Sequence, residues 1–527
     1  MYLRKYSTKE TPQSEKIPFS KQVENSAGGY SFVVDEWKRL HRFLILGSEG
    51  GTYYISERKL IIENAQVVEE CIKKDGLRVI RTIVEISDTG KAPKNDPALF
   101  VLAMCASIGD EKTRKEAFLV LPKVARIGTH LFHFVQYCVA FRGWGRGLRK
   151  AVSNWYQDKS LSDLAFQLVK YQQRDGWSNA DLLRLAHPKT IDPVRNAAYK
   201  WVVDDVLTAT HQDLNIIEGF IKVRGVESDK DATKIIKDYG LPLECIPTQF
   251  KTSPLIWEVL IPKLGMTALI RNLGNISKSG FIKSNMDKAT QDIYNRITNK
   301  EALKRARIHP IAILAALTTY SQGHGARGKG EWPVISSIVD ALEEGYKLSF
   351  GNVEPSNKRI VLALDISGSM GSGEIVGIPG LTPRVGSCAM AQITYHIEKQ
   401  VEFLAFTTDI SRIDISKHTS LNDLVEYTSK LKMGGTDCAL PMLWAIKNKV
   451  EVDTFIIYTD SETWYGDIHP VQALRQYRRE LNIPAKLIVV AMTSNEFTIA
   501  DPDDSGMLDI VGLDTATPQL ITDFSKE

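Results

Sequence analysis

The chain has 527 residues, of which 43% are hydrophobic, 24% charged and 9% aromatic. At roughly 100–200 residues per domain that length predicts more than one domain, and the composition excludes disordered, collagenous and disulfide-scaffold classes. The net charge of +3 hides a division: residues 356–527 carry 15 Lys and Arg against 23 Asp and Glu, a net of −8, which leaves +11 for residues 1–355. Two bodies with different partners are the expectation, 1–355 and 356–527.

Six widely spaced cysteines (Cys71, Cys105, Cys138, Cys245, Cys388, Cys438) form no C-x-x-C pair. Buried thiols in a reducing compartment are therefore expected, rather than a zinc finger or redox dithiol. No run reaches the roughly 18 apolar residues of a membrane span. The leader, MYLRKYSTKETPQSEKIPFSKQ, lacks the apolar core of a secretory signal, so a soluble intracellular protein is expected.

After the leader, residues 28–355 read as helices. DPALFVLAMCASIGD (96–110) has helical apolar spacing, an Asp-Pro start and a Gly near its end. KEAFLVLPKVARI, HLFHFVQYCVAF, LSDLAFQLVKYQQR and NADLLRLAHPK follow, then PLIWEVLIPKLGMTALIRNLG and HPIAILAALTTYSQ. Strand-like alternation is scarce and no fixed repeat length emerges, so an irregular HEAT-like stack of antiparallel helix pairs is expected.

Two regions of this body mix cations, aromatics and tight turns. One holds Arg142, Trp144, Arg146, Arg149 and Lys150; the other holds Lys170, Tyr171, Arg174 and Trp177, followed by Arg184, His187 and Lys189. Lys170 and Arg174 are four apart, so on one helix they share a face and could grip successive phosphates. Aromatics and Arg can stack on unpaired bases. The alternative is that both Trp anchor the core while the cations coat a wet helix face.

The pattern changes near residue 356. β-rich apolar runs at 358–367, 401–408, 453–461 and 485–493 alternate with helical segments, which predicts a doubly wound, mostly parallel sheet with ligands at the carboxyl ends of its strands. Asp365, Ser367 and Ser369 leave the end of the first strand. Thr436 and Asp460 fall at later crossovers returning to the same edge. Such hard oxygens suit Mg²⁺. The five positions resemble the metal-ion-dependent adhesion site of von Willebrand factor A domains, which implies a divalent cation with one position left for a partner's carboxylate, and binding rather than catalysis.

Enzyme motifs are approached but missed. Ser367-Gly-Ser369-Met-Gly371 has Ser where a nucleophile elbow begins with Gly, and nothing singles out His469 as its base. Gly323–Lys329 resembles a phosphate loop, but Gly330 replaces the Ser or Thr and a helix precedes it. His130 and His133 share a helix face near Cys138 and read as a buried structural pair.

GWGRGLRKAV, KYQQRDGWSNADLLRLAH, PLIWEVLIPKLGMTALIRNL and RIHPIAILAALTTYSQGHGARGK, joined to a domain bearing DISGSM, together resemble the TROVE family of Ro ribonucleoprotein components over nearly the whole chain. The resemblance implies a ring of helical repeats whose ends an A domain helps to hold. It implies a non-enzymatic RNA-binding protein: Y RNAs on the outer ring surface, and 3′ single-stranded ends of misfolded small non-coding RNAs in the central hole, for RNA quality control. Lys170, Arg174 and His187 match the family's RNA-contacting stretch, with Arg142, Arg146 and Arg149 beside them. A monomer in the cytoplasm, with a nuclear fraction and other ribonucleoprotein proteins as partners, is expected. The Gly/Pro-rich loop 371–383 is where relatives are expected to differ. The alternative is a divalent-dependent protein-adhesion module on a helical scaffold.

Overall fold

The computed structural model describes residues 9–46, 57–306, 308–325, 330–350, 353–373, 375, 381–432 and 434–527, with the backbone alone at 57–65. The expected phosphate-loop-like stretch and the 371–383 loop therefore lie partly outside the described residues, as do residues 1–8 of the leader.

Helices run from Glu36–Leu46 to Ser336–Leu348, and each packs mainly on near neighbours in the chain, as in a stacked-repeat body. Local chemistry sets their limits. Pro97 sits in the first turn of Asp96–Ile108, and Gly109 closes it. The Asp110 carboxylate accepts the Thr113 N–H at 2.8 Å and starts Glu111–Val124. Ser178 and Asp181 cap Asn179–Ala186 reciprocally. The 254–274 stretch breaks into short pieces, Pro254–Leu260, Ile261–Lys263 and Met266–Arg271, at Pro262 and Gly265. Trp155 and Trp257 are almost wholly buried, each with its indole N–H on a backbone carbonyl, Ala125 at 2.6 Å and Lys251 at 2.9 Å.

The two ends of this body meet. His309, ahead of the helix Pro310–Ser321, bonds the Lys91 carbonyl at 2.9 Å. A cavity of about 400 Å³ beside it is lined by Gly90, Lys304 and Leu348 of the body and by Thr515 of the C-terminal domain.

The strands are β1 (Val23–Glu24), β2 (Tyr30–Val33), β3 (Gln173–Arg174), β4 (Trp177–Ser178), β5 (Arg359–Asp365), β6 (Gln400–Phe406), β7 (Ile410–Arg412), β8 (Thr454–Thr459), β9 (Lys486–Ala491), β10 (Phe497–Thr498) and β11 (Met507–Val511). The C-terminal sheet has the order β11-β9-β8-β5-β6-β7, parallel except for β7. β5, β8 and β9 are covered on both faces, which explains their unbroken apolar runs.

The leader pairs across the expected boundary at residue 356. β1 and β2 form a three-stranded antiparallel sheet with β10, so residues 9–34 belong structurally to the C-terminal domain, and the helical body begins at Glu36. Arg42 of the first helix is fully buried in the same domain. It donates to the Asn495 and Phe497 carbonyls and to Asp509 at 2.6 Å.

Candidate nucleic-acid interface and metal centre

The two basic, aromatic segments come together. Trp144 and Trp177 stack with centroids 6.3 Å apart and planes 24° from parallel. The Trp177 indole donates to Gln136 Oε1 at 2.8 Å, and Arg149 Nε reaches the Ala186 carbonyl, one residue before His187, at 3.4 Å. Arg142, Arg146, Arg149, Arg174 and His187 are all exposed. Arg142 also donates to the Ala106 carbonyl at 2.7 Å, so part of its guanidinium is structural.

Lys170 and Arg174 do not share a helix face. The helix Leu161–Lys170 stops at Lys170, and Arg174 lies on β3, paired with β4 across Asp175-Gly176. Both turn residues have positive φ, 53° and 78°, as a type I′ hairpin requires, and Asp-Gly supplies that at low cost. The exposed hairpin offers Arg174, whose side chain is 61% accessible, while Lys170 is 21% accessible and lies 3.8 Å from Glu244. His187 ends its helix in the left-handed conformation and is exposed, not buried.

The His130–His133 pair has separate duties. Burial drives His130 down to about 4, and it bonds Asn95 at 3.4 Å. His133 Nδ1 bonds Asp175 at the hairpin tip and Nε2 lies 3.6 Å from Asp96, so this histidine anchors the hairpin. All six cysteines are free and buried.

In the C-terminal domain β5 and β8 are parallel neighbours, so Asp365 and Asp460 emerge side by side at their carboxyl ends. Asp365 accepts the Thr459 hydroxyl at 2.6 Å and the Ser367 N–H at 2.9 Å; Ser367 and Ser369 hydroxyls are 3.1 Å apart. Arg384 holds this loop through the Ile366 and Ser367 carbonyls at 3.0 and 3.2 Å. None of Asp365, Ser367, Ser369, Thr436 and Asp460 is more than 3% exposed. Burial raises the Asp365 carboxyl, and burial plus the charge of Asp365 raises that of Asp460. Thr436 Oγ1 and Asp460 Oδ2 are buried with no hydrogen-bond partner. Two facing carboxylates and two orphaned oxygens fit a hard divalent cation, which neutralises the first and satisfies the second.

Ser369 has no histidine partner in His469. The His469 Nε2–H donates to the Glu15 carbonyl at 2.7 Å, which leaves Nδ1 to accept from Gln22 Nε2 at 3.1 Å. Sequence reasoning missed Glu462 and Asn495 beside Asp460. Asn495 Nδ2 donates to the Asp460 carbonyl at 2.7 Å and to Glu462 at 3.2 Å. Position alone, two residues beyond Asp460, is the only sequence signal for Glu462.

A helical-repeat body with exposed cations beside a half-buried tryptophan pair, joined to a doubly wound domain that gathers buried hard oxygens at its strand ends, defines a TROVE-type architecture with an A-type module. Residues 23–225 and 243–358 match the TROVE domain, and 359–525 match the Ro60 vWA domain. The chain is 42% identical over 526 residues to a Deinococcus radiodurans protein named RNA-binding protein RO60, covering 99% of both chains. It is 36% identical over 591 residues to the Caenorhabditis elegans protein of that name, covering 97% of this chain and 91% of the other. The crystal structure of the Deinococcus radiodurans RO (RSR) protein matches with a TM-score of 0.71 at 42% identity, over 93% of this chain and 99% of that one. The chain belongs to the Ro60/TROVE family.

Proposed function

We propose that this is a non-enzymatic RNA-binding protein of small Ro ribonucleoprotein particles. The observation that carries the reading is that the segments bearing the exposed Arg142, Arg146, Arg149, Arg174 and His187 are brought together by the Trp144–Trp177 stack, the Arg174–Trp177 strand pairing and the Arg149 bond to the Ala186 carbonyl. It is supported by relatives named RNA-binding proteins. The cations attract the phosphate backbone without reading sequence, while guanidinium planes and the open edges of the half-buried tryptophan pair favour unpaired bases. The finer expectations follow: Y RNA on this outer face, single-stranded 3′ ends of misfolded non-coding RNAs through a central hole, and selection by shape for quality control in the cytoplasm and nucleus.

Asp365, Ser367, Ser369, Thr436 and Asp460 are proposed to hold Mg²⁺, which supplies a fixed positive charge and a docking position for a partner's carboxylate. A gel-shift salt series with a small structured RNA and with a 3′-tailed duplex tests the RNA reading. Replacing Arg146 and Arg174 together by Ala should weaken binding and make the log–log salt slope shallower by about 2, whereas Lys170, paired with Glu244, should contribute less. Unchanged affinity and slope would overturn the assignment of this face. The divalent-dependent adhesion reading instead predicts protein capture lost on Asp365→Ala while RNA affinity is untouched.

A further inference from the structure

The leader is seated on the loops that carry the cation site. Gln13 is fully buried; its Nε2 donates to Asp437 Oδ1 at 2.5 Å and to the Ile468 carbonyl at 2.9 Å, and its Oε1 bonds the Thr463 hydroxyl. Asp437 directly follows the ligand Thr436, and the Thr463 hydroxyl also lies 3.1 Å from the Thr436 carbonyl. Asn25 Nδ2 donates to the Thr463 carbonyl at 2.7 Å, and the Ser31 hydroxyl to the Ser461 carbonyl, next to Asp460, at 2.9 Å. The approach is so close at Gly29 that a Cβ there would stand 2.0 Å from the Thr463 carbonyl oxygen and 2.6 Å from Trp464 Cα.

We infer that residues 9–34 are a strap that grips the loops from which Thr436 and Asp460 project, so that cation binding and strap attachment are reciprocally linked. The inference rests on the cation reading of Asp365, Thr436 and Asp460. Gln13 and Asn25 are positioning residues: they fix the backbone from which Thr436 and Asp460 project. Thr436 Oγ1 and Asp460 Oδ2, buried and unpartnered, are the groups a cation would organise, and they sit on the same loops the strap grips. By linkage, a cation that tightens these loops tightens the strap, and an attached strap raises cation affinity by the same factor. Outer-shell groups of this kind typically change metal affinity about 10–100-fold. Because Asn495 bonds the Asp460 carbonyl through its side chain and Arg42 through its own carbonyl at 2.8 Å, the first helix joins the same node.

The test uses the full chain. Titration calorimetry with Mg²⁺ and Mn²⁺ is run on the wild type, Gln13→Ala, Asn25→Ala and the exposed control Lys21→Ala. Amide hydrogen exchange of residues 13–33 is followed in the wild type with and without Mg²⁺, which needs no variant to fold. The expected results are slower exchange across the strap on adding Mg²⁺, and affinity about tenfold lower in Gln13→Ala and Asn25→Ala but not in Lys21→Ala. Normal Mg²⁺ binding with unchanged strap exchange, or equal affinities in all four proteins, overturns the linkage and leaves the cation site standing. No binding to the wild type, with loops 365–369 and 460–463 unprotected, overturns the cation reading and the strap inference together.

Discussion

In the helical body, the groups offered to a ligand are exposed and held from below: Arg174 rides on a hairpin whose tip is tied to His133, and Trp177 is braced by Gln136 and Trp144. In the C-terminal domain the corresponding groups are interred, and two of their oxygens lack partners. An exposed cation costs little and binds a polyanion weakly, so many must act together. A buried oxygen cluster costs much when empty and returns it on binding one ion. The basic face should therefore respond to salt and to multiple substitutions, and the oxygen site to single substitutions.

The sharpest break is at the junction between the regions. Arg42→Ala leaves Asp509 buried without its partner and frees two carbonyls, and should cost about 3–5 kcal/mol. The Arg39–Glu496 pair crosses the same junction at 3.0 Å but is partly exposed, so Arg39→Ala should cost less than about 1 kcal/mol. Urea denaturation of both variants checks the contrast; equal losses would mean that burial does not distinguish the two pairs.

The seam of the helical body should be acid-sensitive. His309 accepts the Ile311 N–H at Nδ1, so its proton is on Nε2, donated to Lys91. Burial lowers it from 6.5 to about 4. Between those values the unfolded chain binds the extra proton, so stability is full above pH 6.5, declines as pH falls to about 4, and loses nothing further below. The loss is about 3 kcal/mol. His309→Gln keeps a donor for Lys91 without titrating, and should flatten this part of the melting-temperature profile between pH 6.5 and 4. A slope as steep as in the wild type would remove His309 from the account.

At the oxygen site the contrast has a sign. Without divalent ions, Asp460→Asn removes one of two facing carboxylates and should raise stability on the order of 1 kcal/mol. With saturating Mg²⁺ the order should reverse, because the wild type gains about 2.7 kcal/mol at a hundredfold excess over Kd and the variant gains little. Melting curves with chelator and with Mg²⁺ check both halves.

What the sequence disclosed follows the same division. The strands β5, β6, β8 and β9 and the helix Pro470–Leu481 were legible because each is a continuous pattern with its own start and stop signals. The placing of Asp365 and Asp460 at neighbouring strand ends was legible because strand order brings β5 and β8 side by side. The leader was not: β1 and β2 are two and four residues long, and β2 pairs with β10 more than 460 positions away, so no local period marks them. The hairpin was legible in principle. Asp175-Gly176 is a strong turn signal, but the helical spacing of Lys170 and Arg174 masked it, and the chain followed the turn.

The smallest effect is at the aromatic stack, and it separates packing from recognition. Trp144→Leu keeps an apolar side chain against Trp177 but removes the ring-on-ring contact, worth about 0.5–1.5 kcal/mol. If the stack serves only to brace the hairpin, affinity for single-stranded RNA should fall by no more than that energy allows, about tenfold, and Trp144→Phe should restore it. If an exposed face of the stack also receives a base, the loss should be greater for unpaired than for duplex RNA at every salt concentration. The stacked base contributes roughly 1–3 kcal/mol that does not depend on counterion release. Affinities of the wild type and both variants for a single strand and its duplex, measured across a salt series, decide between these. An equal loss on both RNAs, with an unchanged salt slope, would leave the stack a structural brace.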